Sequence, residues 1–131
     1  QLSTRSKDFI FDTLRLRKEM YLLQPLLMNP RVVKVLHGSE SDIVWLQRDF
    51  GLYLGGLFDT EIAAKLLGLG SRSLAYLLSH YCNIDCGTNK KRYQRADWRM
   101  RPLPKGMFDY ARSDTHYLLY IYDRMRMDLA G

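Results

Sequence analysis

The chain has 131 residues, of which 47% are hydrophobic and 26% charged, the balance of a folded globular domain. That length suits one domain with a single buried core. No apolar run approaches the roughly 20 residues of a membrane-spanning helix, and the net charge of +6 points instead to a polyanionic partner.

Residues 1–4 read as a short strand, 5–8 as a polar turn, and Phe9-Ile10-Phe11 as the returning strand of a hairpin. A strand beginning at residue 1 implies that the sheet continues upstream. The stretch 14–23 mixes apolar and charged residues without a clear period. Gln24-Pro25 opens a short helix through Met28, closed by Asn29-Pro30. The β-branched run Val32 to Leu36 predicts a strand. Ser39 then starts a helix to about Phe50, with Ile43, Leu46 and Phe50 inward and Gly51 as its stop. Leu57-Phe58-Asp59 is a brief strand, and Thr60 is the expected cap of a helix through Leu67. Gly68 and Gly70 end that helix, and Ser71 or Ser73 starts another through Tyr81. An irregular basic segment follows, ended by Pro102 and Pro104. From Pro104 a single long helix is predicted, because Phe108, Ala111, Thr115, Leu118, Leu119, Tyr122 and Met125 form a helical stripe. Strand and helix alternate after the hairpin, so the fold class is α/β with a mixed sheet.

The positive charge is concentrated. Between Thr88 and Lys105 seven cations face one anion, Asp97, which equals the net charge of the whole chain. Lys90, Lys91, Arg92 and Arg95 can follow phosphates there, and Tyr93 and Trp98 can stack on unpaired bases. The alternative is that Trp98 packs on the core and the charges are a solvated loop. Cys82 and Cys86, even with His80, are too few for a structural zinc site, so free thiols in a reducing compartment are expected.

Three residues carry a hydrolytic pattern. Tyr110 and Asp114 are four apart on the final helix and share a face. A carboxylate there can hold a metal ion while the phenol orients a water. Asp42 lies in the first turn of its own helix. Ser39-Glu40-Ser41-Asp42 also fits a capping box, which would make Asp42 structural. Two-metal phosphodiester hydrolysis needs several hard oxygen ligands, so Asp42 and Asp114 alone are too few. In Asp59-Thr60-Glu61, Asp59 reads as structural and Glu61 as a first-turn helix acid turned away from any metal. His37 ends a strand, either bonded to backbone or near substrate. His80 reads as a surface residue, and His116 points away from Asp114.

Taken together, the blocks 37–53, 57–60, 96–104 and 110–119 resemble the nuclear-exosome-associated 3′→5′ exoribonucleases. These form a branch of the ribonuclease D group of DEDD nucleases, tyrosine subtype. The resemblance covers nearly the whole chain in order. It implies a ribonuclease H-like 3′–5′ exonuclease fold, two Mg2+ or Mn2+ ions, and hydrolysis of single-stranded RNA from its 3′ end to nucleoside monophosphates. It implies Asp114 as a ligand to the first metal, Asp42 as an acid acting on the second mainly through water, and Tyr110 as the residue that orients the attacking water. It implies exosome partners and a nuclear, including nucleolar, setting. The Asp-x-Glu motif of the family would precede Gln1, so residues 1–131 are expected to be an N-terminally truncated exonuclease domain.

Overall fold

Short strands and half-amphipathic helices have to bury their apolar faces on one another, and this chain does so in two clusters. The computed structural model describes residues 1–85 and 96–131. Strands β1 (Leu2–Ser3) and β2 (Asp8–Phe9) form an antiparallel hairpin, with Leu2 opposite Phe9. A 3-10 helix, Arg17–Leu23, runs directly into helix α1, Gln24–Met28, whose Pro25 occupies the start where no N–H is needed. Strand β3 (Lys34–Leu36) leads to helix α2 (Glu40–Phe50), and strand β4 (Leu57–Asp59) leads to helix α3 (Thr60–Leu67). β3 and β4 pair in parallel, with Val35 opposite Phe58. Helix α4 (Leu74–Cys82) follows, capped by the Ser73 side chain on the Tyr76 N–H. Helices α5 (Lys105–His116) and α6 (Leu118–Ala130) close the chain.

The α/β class holds, but the expected mixed sheet is present as two separate two-stranded pairs among the described residues. Each pair has local geometry set by its own connection, a tight turn for the hairpin and a helical crossover for the parallel pair. Gly51, Gly68 and Asn83 end their helices in the left-handed conformation.

The larger core cluster joins α3, α4 and α6 through Ala63, Ala64, Leu77, Leu78, Ile121 and Met125. Two adjacent alanines on α3 let α6 approach closely. Ile121 and Met125 are fully buried, and truncating either to alanine should cost about 2–5 kcal/mol. The smaller cluster, Met20, Leu27 and Leu52, packs the 3-10 helix and α1 under the turn after α2.

The single long helix is two. Tyr117, at φ −98° and ψ −3°, interrupts the helix for one residue. The reason is tertiary. The last turn of α5 is held by the hairpin, where Ser3 Oγ meets Thr115 Oγ1 at 2.7 Å and Asp8 Oδ2 meets His116 Nδ1 at 2.7 Å. α6 instead buries Leu118, Ile121 and Met125. Met107 is buried where Phe108 was expected, and Phe108 is exposed. Among the described residues, no helix is long and apolar enough to cross a membrane. Cys82 is a free thiol, and Cys86 lies outside the described residues.

Candidate active site

The site begins at the junction between β3 and α2. Ser39 is buried and stands at the N-cap, but its side chain does not cap α2. Its hydroxyl donates to Asp59 Oδ2 at 2.7 Å. The expected capping box is therefore absent, because a better acceptor reaches Ser39 from the neighbouring strand. Asp59 accepts four bonds: Gly38 N at 3.0 Å, Ser39 N at 2.8 Å, Ser39 Oγ, and Glu61 N at 2.9 Å. Asp59, not Thr60, is thus the N-cap of α3. Burial pushes its carboxyl up, but the bonds from Ser39, Gly38 and Glu61 together outweigh burial and hold it below the ordinary value. The structural reading of Asp59 holds.

Thr60 is fully buried. Its hydroxyl donates to Leu36 O at 3.1 Å and meets His37 Nδ1 at 2.8 Å. His37 Nε2 faces Glu61 Oε2 at 3.9 Å. Glu61 is therefore a first-turn acid, as expected, but it turns toward the junction rather than away from it.

Asp42 is treated differently. No described residue donates a hydrogen bond to it. Its side chain reaches water, yet protein surrounds it on enough sides that desolvation pushes its pKa up. The Asp59 carboxylate adds to that rise. The start of β1 lies within electrostatic reach of Asp114 and Asp42, two carboxylates that are far apart in sequence. β1 and β2 lie along α5, which presents Asp114, while β3 and α2 present Asp42.

Tyr110 and Asp114 are half-buried one turn apart on α5. The Tyr110 carbonyl accepts from Ser113 Oγ at 2.6 Å. The Tyr110 ring lies 6.2 Å from the Trp98 ring, tilted by 36°. Trp98 is half-buried against α5, between its two expected roles. His80 is exposed, as expected, and stacks on Tyr76. His116 points away from Asp114 and takes Asp8 with Arg112.

Lys90, Lys91, Arg92, Tyr93 and Arg95 lie outside the described residues. Two further cations of the basic segment are paired, Arg99 with Asp97 at 3.0 Å and Arg101 with Asp12 at 2.8 Å. The Asp12–Arg101 pair has no local sequence signal. The cap Asp59 has one, since aspartate directly before a helical run is a preferred N-cap.

Two hard carboxylates with a phenol beside one of them suit a divalent cation and a water. Among the described residues no group of three His, Cys, Asp or Glu side chains converges to hold a metal. The donor chemistry fits, and the number of ligands falls short of a complete site.

The chain matches the family model of a 3′-5′ exonuclease over residues 1–130. It is 60% identical over 129 residues to human exosome complex component 10, and 54% identical to exosome complex exonuclease RRP6 of Saccharomyces cerevisiae. The match takes in 98% of this chain but only 14% and 17% of those proteins. The crystal structure of the catalytic core of RRP6 from Trypanosoma brucei superposes with a TM-score of 0.92 at 49% identity, covering 98% of this chain and 35% of that one. With its carboxylates on α2 and α5 and that match over all but its last residue, the chain belongs to the 3′-5′ exonuclease family.

Proposed function

We propose that this chain forms part of a nuclear 3′→5′ exoribonuclease that releases nucleoside monophosphates from single-stranded RNA and works with the exosome. The observation that carries the reading is the match of residues 1–130 to the 3′-5′ exonuclease family, with Asp42 in the first turn of α2 and Tyr110 and Asp114 one turn apart on α5. The relatives are named as exosome components, which supports the partner, while the nuclear setting follows from the family resemblance. Residues 1–131 would be the greater part of the exonuclease domain.

Asp114 and Asp42 would hold the divalent cations, Mg2+ or Mn2+, with further ligands from the Asp-x-Glu motif of the family. Bound there, such ions activate water and neutralise the oxygen that leaves. Asp42 suits this role because no described residue donates a hydrogen bond to it and desolvation raises its carboxyl. The Tyr110 hydroxyl would orient the attacking water from one turn before Asp114. His37, tied to Thr60 and facing Glu61, would line the RNA near Asp42. The lysines and arginines at 90–95 would follow the phosphates.

The test is mononucleotide release from a 3′-labelled RNA by the full-length protein with Mg2+ or Mn2+. Chelation and Asp114→Asn should each abolish it, and Tyr110→Phe should lower turnover more than RNA affinity. Residues 1–131 alone should be nearly inactive, because two carboxylates cannot hold two ions. Release of mononucleotides from DNA but not RNA would redirect the assignment to a deoxyribonuclease. RNA binding without any hydrolysis would make the protein an RNA-binding relative.

A further inference from the structure

A cleft next to Tyr110 is built by residues that the metal chemistry does not use. Residues 12–15 form a turn in which Asp12 Oδ1 accepts the Arg15 N–H at 3.2 Å. The other carboxylate oxygen, Oδ2, accepts from Arg101 Nε at 2.8 Å, across 89 positions of sequence. Arg101 Nη1 in turn donates to the carbonyls of Trp98 at 2.7 Å and Met100 at 2.8 Å. One carboxylate and one guanidinium therefore bracket the turn against the segment that carries Trp98.

Between these two walls lies a cleft of about 430 Å³, lined by Asp12, Leu14, Arg15, Trp98, Arg99 and Arg101. That is within the size range of small-ligand sites. Its apolar lip, Leu14, is 81% exposed, although the turn itself needs no apolar side chain there. Its aromatic wall is Trp98, whose ring lies 6.2 Å from that of Tyr110. Three arginines face one carboxylate. Arg101 is committed to Asp12, and Arg99 pairs with Asp97 at the surface. Arg15 is exposed and pairs with no carboxylate among the described residues. A flat aromatic surface, an apolar lip and an excess of positive charge are complementary to a base and its phosphate.

We infer that this cleft is a subsite for one unpaired RNA nucleotide beside the scissile phosphodiester, with its base against Leu14 and Trp98 and its phosphate on Arg15. The inference rests on the function proposed above. Asp12 and Arg101 are positioning residues, which set the spacing between the lips. An acidic peptide would satisfy the arginines but offers no flat surface to lie against Leu14 and Trp98.

The experiment uses the full-length protein carrying Asp114→Asn, so that RNA is not consumed. Fluorescently labelled oligoadenylate is titrated at several salt concentrations. Leu14→Ala should weaken binding about fivefold, the low end of what a stacked base contributes. Arg15→Gln should weaken it and reduce the log–log salt slope by about 0.7. Both side chains are exposed, so the thermal midpoint should not move. In a series of oligomers with one abasic nucleotide each, a single position should lose affinity for the parent and lose none further for Leu14→Ala. Parent-like binding and slope in both variants, or no abasic position coupled to Leu14, would overturn the subsite while leaving the proposed function intact. A parent that binds no RNA would overturn both. Polyglutamate binding that is lost in Arg15→Gln while RNA binding is kept would make the cleft a protein-docking site and overturn the inference.

Discussion

Two consecutive strand-to-helix junctions, β3 into α2 and β4 into α3, each present an aspartate near the start of a helix and treat it in opposite ways. Asp59 accepts four hydrogen bonds, and its carboxyl is held below the ordinary value. Asp42 receives none from any described residue, and its carboxyl is raised by desolvation. The parallel pairing of β3 with β4 sets Leu36 opposite Asp59 and so brings the second junction under the first. Asp59 then takes the backbone donors that would otherwise stay unpaired at the start of α2. The difference teaches that one carboxylate can take up the donors of both junctions and leave the other without a hydrogen bond from any described residue. A group kept ionised without protein partners lowers stability, and such groups concentrate where chemistry is done.

The largest expected effect separates these two carboxylates by function. In the full-length protein Asp42→Asn should lower hydrolysis by more than the roughly 10–100-fold that an outer-sphere partner costs, with stability equal or higher. Asp59→Ala should do the reverse in stability. It strands four donors and should cost about 3 kcal/mol, measured by urea unfolding. If Asp42→Asn loses stability and keeps its activity, the contrast fails.

A smaller effect is the response to acid. Asp59 has a folded pKa below its unfolded value of about 3.8, so its contribution is present above that value and is lost as pH falls through the folded one. Asp42 has a raised folded pKa, so its cost is present above that pKa and is relieved as pH falls through it. Urea midpoints followed from pH 7 to pH 3 should therefore show the advantage of Asp42→Asn over the parent shrinking first. The deficit of Asp59→Asn should shrink only at the acid end. Equal pH dependence in both variants would remove the electrostatic distinction.

The smallest effect concerns Ser39. Its hydroxyl bonds Asp59 and does not cap α2. Ser39→Ala should cost about 1 kcal/mol and leave Asp42 chemistry unchanged. A large loss of activity in Ser39→Ala, with stability kept, would mean that the two junctions are coupled.

Local signals were legible wherever the cause lies within one turn of chain. Pro25 and Asn29 bound α1, Gly51 stops α2, Ser73 starts α4, and Leu57–Asp59 is a strand. The cap of α3 was displaced by one residue, because Thr60 and Asp59 are both good caps and only Asp59 also reaches the Gly38 and Ser39 donors. The break at Tyr117 was not legible. Its stripe continues across the break, and the interruption comes from bonds between the hairpin and the end of α5. Nor was the Asp12–Arg101 bracket, since nothing near either residue announces the other.

The sequence by itself determined where most helices begin and end, and the family. These are matters of residue type and short spacing, which the chain carries without folding. The tertiary structure decided which acid is hydrogen-bonded, because donors 20 positions away reach Asp59 and not Asp42. It also decided that the final stripe serves two partners, since α5 packs on the hairpin and α6 on α3 and α4.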